Sequence, residues 1–208
     1  MTAKRVTVVD AGVGNLGNVE RAVRSLGYEP DRTSDPEVVA ASRRSLLPGV
    51  GAFRPPRERL RGALEEAFEH SLGQGGVLMG ICVGYQLLFE SSEEFGETDG
   101  LGLLQGHIKE LPSTVPVPHI GWNRLTGVVS SNPLLQGIDE GSYAYFVHSF
   151  APDGAAPEET LAECRHGRSF AAVSARGNVF GTQFHPEKSS TVGLKILENF
   201  LRYTERST

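Results

Sequence analysis

The sequence predicts one α/β domain over residues 1–208, a three-layer, open, mostly parallel sheet with antiparallel strands in its second half. Three observations predict it. Apolar runs of strand length alternate with helix-length amphipathic segments through the first half, the pattern of parallel β-α-β units. Four strand-like runs joined by turns follow in the second half. The 25 glycines and 12 prolines are spread in short groups, as turns are, with no repeat, low-complexity tract or linker.

The elements follow in order. Val6 to Val9 is a buried strand, followed by a Gly-rich turn and a helix from Asn18 to Leu26 that stops at Gly27. Ser45 to Leu47 is a second strand, running into Pro48-Gly49-Val50-Gly51 and a helix from Pro56 to Leu72. Val77 to Ile81 is a third, leading to a helix from Tyr85 to Glu90. The later strands are Tyr143 to Val147, Thr160 to Arg165, Ser169 to Ala175 and Val179 to Phe184, with Arg176-Gly177-Asn178 as a hairpin turn. Val192 to Tyr203 closes the chain as a helix whose Leu194, Leu197, Phe200 and Leu201 fall at helical spacing. Ligands of such sheets bind beyond the carboxyl ends of the strands.

Composition narrows the function. With 39% hydrophobic and 22% charged residues, the 208-residue chain has the make-up of a globular protein. A domain of that size buries roughly 70% of its unfolded surface and needs no covalent staples. Only Cys82 and Cys164 are present, without a C-x-x-C pair, which argues for reduced thiols and against zinc or iron-sulfur centres. A net charge of -5 offers no general field for nucleic acid or an anionic membrane. Apolar runs such as Val77 to Cys82 fall well short of the ~20 residues of a bilayer span, and Met1 to Asp10 lacks the apolar region of a signal peptide, so a cytoplasmic location is expected. Arg54, Arg57, Arg59 and Arg61 share their segment with Glu58, Glu65, Glu66 and Glu69, which reads as a solvated helix face.

One motif points toward a nucleotide. Gly12-Val13-Gly14-Asn15-Leu16-Gly17 matches G-x-G-x-x-G between a strand and a helix, and Asp10 precedes it. A dinucleotide fold, however, needs a second apolar strand ending in an acid near Asp31, where Tyr28-Glu29-Pro30-Asp31-Arg32 is polar and interrupted by proline. A structural or partner-facing turn ranks above nucleotide binding.

The stronger signal is Gly80-Ile81-Cys82-Val83-Gly84, between an apolar strand and a helix. Nucleophiles are held on sharp turns in this setting, where flanking glycines permit the bend and a helix N-terminus favours negative charge. Glycines at both second neighbours of a cysteine arise by composition about 3% of the time, so the motif needs context; the bland alternative is a buried, inert thiol. His185 ends the strand-like Gly181-Thr182-Gln183-Phe184, and Pro186 biases it toward an extended conformation that puts Glu187 on the same side. A carboxylate there can orient the imidazole toward Cys82, as in hydrolase triads. His-x-acid pairs alone are cheap, about 0.7 by composition, and His148 is the competing base. Backbone N–H donors for an oxyanion can come from Pro48-Gly49-Val50-Gly51 and from Val83, where a glycine at position 49 makes a peptide flip possible.

These segments resemble the class I, triad-type glutamine amidotransferases over the whole chain, which implies a flavodoxin-like fold. Within them the chain is most similar to the glutaminase subunits of imidazole glycerol phosphate synthases. The likeness is carried by Gly12-Val13-Gly14-Asn15-Leu16, Leu47-Pro48-Gly49-Val50-Gly51-Ala52-Phe53, Pro118-His119-Ile120-Gly121-Trp122-Asn123, Tyr145-Phe146-Val147-His148-Ser149 and Gly181-Thr182-Gln183-Phe184-His185-Pro186-Glu187-Lys188-Ser189. The resemblance implies a catalytic Cys82, His185 and Glu187, an oxyanion hole at Val50 and Val83, and glutamine held by Gly51, Gln86, Glu94 and Ser149. It implies no cofactor and no metal. It also implies a (β/α)8-barrel cyclase partner that receives ammonia, docked at Asn15, Trp122, Tyr145 and Lys188. Two positions depart from the family: Ala11 stands where an aromatic is usual, which would alter partner coupling, and Tyr85 where methionine is common, which would alter the pocket wall. The rival readings are another amidotransferase subunit, such as one serving pyridoxal phosphate synthesis, a dinucleotide-dependent oxidoreductase, and a silent interaction module.

Overall fold

A computed structural model describes residues 4–203; of the Met1 to Asp10 leader reading, residues 1–3 lie outside the described residues. The chain begins β1 (Arg5–Val9), α1 (Leu16–Ser25), β2 (Glu29–Thr33), α2 (Pro36–Ala40), β3 (Arg44–Gly49), α3 (Arg54–Leu60), α4 (Ala63–Gly73), β4 (Val77–Cys82) and α5 (Val83–Gln86). It continues with β5 (Ser91–Ser92), β6 (Thr98–Asp99), β7 (His107–Glu110), β8 (His119–Arg124), β9 (Tyr143–His148) and β10 (Phe150–Asp153). The last elements are β11 (Thr160–His166), β12 (Arg168–Arg176), β13 (Val179–Thr182) and α6 (Ser190–Arg202).

Seven strands form the main sheet in the order β11-β12-β13-β4-β3-β1-β2. The five from β13 to β2 are parallel, and β12 and β11 add antiparallel at one edge. β4 lies in the middle, and its VLMGIC sequence is buried at every position, the continuous apolar run that a strand covered on both faces requires. Right-handed crossovers put α1 on one face and α2 and α4 on the other, because the path from β1 to β2 runs opposite to the path from β3 to β4. On the α1 side the Tyr28 hydroxyl donates to Leu201 O at 2.9 Å, tying α6 to the start of β2. α6 buries Gly193, Ile196, Leu197, Phe200 and Leu201, one stripe at helical spacing.

Several elements differ from the sequence expectation. The polar segment at Glu29–Thr33 is a strand, because β2 is the sheet's edge: one neighbour suffices, and Pro30 costs no ladder bond on the open side. The helix expected from Pro56 to Leu72 is two helices, broken at Gly62 with φ 79°. The helix expected to reach Glu90 stops at Gln86, after four residues. The second half supplies antiparallel strands as expected, but its four runs do not all share one sheet. β13 runs parallel to β4, the antiparallel pairings of the main sheet are β11–β12 and β12–β13, and β9 pairs with β8 in a separate ribbon. The hairpin at Gly177-Asn178 joins β12 to β13, with Arg176 opposite Val179. Arg57, expected on a solvated face, is 4% exposed, with its guanidinium on both Glu65 carboxylate oxygens at 2.9 Å and on the carbonyls of Asp99 and Gly100. No helix among the described residues is long and apolar enough to cross a membrane.

Candidate active site

Beyond the carboxyl ends of β3 and β4 lies a cavity of about 370 Å³. Cys82 forms its floor at the last residue of β4, with φ 56° and ψ -112°. A side-chain-bearing residue held at positive φ costs on the order of 1–3 kcal/mol and persists only where its surroundings impose it. The bend is borne by the cysteine itself. The flanking glycines serve clearance instead: a Cβ on Gly84 would overlap the Leu47 carbonyl, and one on Gly80 would sit 2.6 Å from Gly84 O. A similar clash explains Gly49, whose Cβ would lie 2.7 Å from Gly84 N, while the left-handed φ of this loop falls at Gly51, at 83°. With α5 only four residues long, dipole assistance to Cys82 comes from few peptides.

His185 enters from beyond β13, which ends at Thr182 rather than Phe184. Its backbone is extended, with φ -94° and ψ 100°. Glu187 does not continue that extension; it turns back on a 3-10 turn, Pro186–Lys188, and its Oε1 lies 2.9 Å from His185 Nδ1. Both side chains are sealed, at 3% and 1% exposure, and His185 Nε2 and Glu187 Oε2 have no hydrogen-bond partner among the described residues. Burial pulls the His185 imidazole down, but Cys82 and Glu187 beside it outweigh this and raise it to about 9. The Cys82 Sγ lies 3.9 Å from Val147 O and 4.0 Å from Gln183 Nε2. His148, the alternative base, has both ring nitrogens engaged, Nδ1 on Phe150 O at 2.8 Å and Nε2 on His119 Nδ1 at 3.1 Å.

Most of the other predicted positions line the same cavity, whereas Asn15, Trp122 and Tyr145 do not. Val50, Gly51 and Val83 line it beside Cys82, and Gln86, Glu94, Ser149 and Lys188 complete the wall. Gln86 donates its amide protons to Phe150 O at 2.8 Å and Gln183 Oε1 at 3.1 Å. Burial lifts the Glu94 carboxyl above the usual range, and the Phe53 N–H on its Oε2, at 2.8 Å, partly restrains it. Asn15 occupies the N-cap position of α1 without a side-chain cap. On the β8–β9 ribbon, Trp122 opposes Tyr145 and the rings meet edge to face at 6.0 Å. Trp122 is 52% exposed and Ile120 61%.

Both family departures lie elsewhere than expected. Tyr85 is wholly buried, its hydroxyl 2.6 Å from Ser174 Oγ and 3.3 Å from Ala171 O, and it does not line the cavity; Gly181 leaves room for its ring. Ala11 is 1% exposed and presents almost no surface to a partner. The Gly12 turn follows β1 as expected, but protein groups fill it. Gly12 N–H donates to Asp10 Oδ1 at 2.9 Å, Arg32 holds Asp10 Oδ2, and the Arg59 side chain lies where a Gly12 Cβ would go. The Arg32 guanidinium holds the Asp10 carboxyl below the usual range.

Sequence reasoning passed over Ser189. It is fully buried, donates to His185 O at 2.7 Å and accepts from Tyr145 N at 2.9 Å, while His185 N donates to Tyr145 O at 3.1 Å. The His185 backbone is thus clamped to the ribbon that carries Trp122. A serine four residues after a histidine gives no signal in sequence; only the fold brings β9 to it.

The pattern of the family described as glutamine amidotransferase class-I matches residues 7–203. The chain belongs to the class-I glutamine amidotransferase family. It is 45% identical over 204 residues to the imidazole glycerol phosphate synthase subunit HisH of Methanosarcina barkeri, covering 95% of this chain and 98% of that one. To the subunit of the same name from Salinibacter ruber it is 42% identical over 202 residues, 93% of this chain and 92% of that one. Among solved structures, PurLQS from Thermotoga maritima superimposes with a TM-score of 0.77 at 21% identity, covering 98% of this chain and 99% of the matched chain. That likeness shows a shared fold.

Proposed function

We propose that residues 1–208 form one glutamine amidotransferase domain, the glutaminase subunit of an imidazole glycerol phosphate synthase, acting in the cytoplasm. The observation that carries this reading is a cysteine held at positive φ above the sheet, sharing a cavity with a sealed imidazole–carboxylate pair. In this reading His185 has taken the Cys82 thiol proton before the substrate arrives, and the thiolate attacks the side-chain carbonyl carbon of L-glutamine. The oxyanion accepts hydrogen bonds from the backbone N–H groups of Val50 and Val83. Imidazolium returns its proton to the departing nitrogen, ammonia leaves, and a glutamyl thioester remains on Cys82. Water, deprotonated by His185, then cleaves the thioester to glutamate. An imidazole raised to about 9 holds its proton at neutral pH, as the acid of the first half-reaction must. Glu187 stabilises the charge. Glu94, with Gly51, Gln86 and Ser149, holds the glutamine backbone and amide groups.

Ammonia protonated by bulk water is no nucleophile, so its use at a second site needs a dry passage into a partner. That partner is a (β/α)8-barrel cyclase, which consumes ammonia to make imidazole glycerol phosphate and an aminoimidazole carboxamide ribotide in histidine biosynthesis. The names of the relatives and the exposed apolar face of the β8–β9 ribbon support this; Asn15, Trp122, Tyr145 and Lys188 are its contacts. The test mixes the chain with a barrel cyclase subunit and follows glutamate release with and without the nucleotide acceptor. Release that depends on Cys82 and rises with acceptor supports the reading, and acceptor-independent or absent release refutes it.

A further inference from the structure

The mechanism leaves one buried cluster unused. His119 and His148 are both under 10% exposed, and both sit on the inner face of the β8–β9 ribbon. Side chains alternate along strands, so the same ribbon turns Ile120 and Trp122 outward and His119, Asn123, Phe146 and His148 inward.

Three hydrogen bonds give this inner row a single direction. Phe150 O can only accept, so His148 Nδ1 donates to it at 2.8 Å. The Nε2 of a neutral His148 then accepts, and His119 Nδ1 donates to it at 3.1 Å. His119 Nε2 accepts in turn from Asn123 Nδ2 at 3.1 Å. The Asn123 amide is oriented independently, because Nδ2 also donates to Arg165 O at 3.1 Å and Oδ1 accepts from Arg124 N at 2.8 Å. At the other end Phe150 O also accepts from Gln86, in the cavity wall. The His119 ring is fixed between stacked neighbours, His166 at 4.1 Å and Phe146 at 4.9 Å.

Resting on the glutaminase reading, we propose that Asn123, His119 and His148 are positioning residues: a one-way hydrogen-bonded chain that carries the set of the partner-facing ribbon to the Phe150 carbonyl and so fixes Gln86 against the bound glutamine. The chain needs neutral rings, since a second proton on His148 would oppose two donors. Burial supplies this, holding His148 down to about 3 and His119 to about 4, with His119, His166 and His185 as the titratable groups facing His148. The coupling is local: one ribbon, two rings and one carbonyl separate Trp122 from Gln86.

The test measures glutamine KM and kcat for the chain assembled with its barrel partner. His119→Phe keeps the stacking ring and removes the donor; it is expected to raise KM about tenfold with kcat within threefold. His119→Gln, which can donate to His148, returns KM to within threefold of the parent. Asn123→Leu, at the half-buried outer end, raises KM about threefold and carries the test alone should His119→Phe fail to fold. Equal losses in His119→Phe and His119→Gln, or an unchanged KM in Asn123→Leu, overturn the proposal. A parent complex that releases no glutamate refutes the glutaminase reading; an active parent whose variants match it refutes the chain alone.

Discussion

Replacing Glu187 by glutamine tests the electrostatics of the triad through stability. His185 is raised from 6.5 to about 9, against burial, by Cys82 and then Glu187. A group held more tightly protonated in the folded state contributes stability that is complete below the unfolded value and is lost as pH rises through the folded one. For His185 that window runs from about 6.5 to about 9, and the shift sets a ceiling of about 3 kcal/mol. Glu187→Gln keeps the shape and removes the charge, so it lowers the His185 value and shrinks the stability lost across the window. Adding Cys82→Ala leaves burial dominant, which brings His185 below 6.5, so the loss of stability between about 6.5 and about 9 disappears. The assay is urea unfolding from pH 5.5 to 10, paired with NMR titration of the imidazole. A parent whose His185 titrates near 6.5, or an unaltered stability profile in the double variant, would refute the reasoning.

Other expectations follow from the same geometry. Cys82→Gly should abolish glutamate release and, above about pH 9 where the Cys82–His185 contribution is already lost, raise stability by about 1 kcal/mol, because glycine adopts the positive φ at Cys82 without strain; denaturant midpoints at that pH measure it, and a clear loss of stability there would contradict the strain. Gly84→Ala drives a methyl into the Leu47 carbonyl, so α5 must lift from β3, at a cost of about 2–3 kcal/mol and most of the activity. A thermal midpoint equal to the parent's would show that the packing yields. Trp122→Ala should leave the unfolding midpoint of the isolated chain nearly unchanged, since the ring is half exposed, and weaken cyclase binding by tenfold or more; calorimetric titration separates the two.

Sequence legibility followed locality. The β4–Cys82–α5 junction was readable because a doubly covered strand is apolar at every position and two glycines mark the close approach of α5 to β3. His185 and Glu187 were readable because proline fixes the chain between them, although the carboxylate arrives through a 3-10 turn. β2 escaped because an edge strand needs to bury only part of itself, and EPDRT buries Pro30 alone. The break at Gly62 was hidden by apolar periodicity continuing on both sides. Arg57 looked like surface since its partners, Glu65 and the carbonyls of Asp99 and Gly100, meet it only in the folded chain. Ser189 and the His119–His148 pair were illegible for the same reason, as their partners come from other segments.

A covalent intermediate tests the central proposition most directly. The complex is mixed with glutamine, quenched in acid within a turnover, and its peptides weighed. A glutamyl group on the peptide carrying Cys82, absent from Cys82→Ala and accumulating when water attack is slowed by lowering pH, is the predicted result. Steady glutamate release with Cys82 never acylated, or with the acyl group on Cys164, would contradict it.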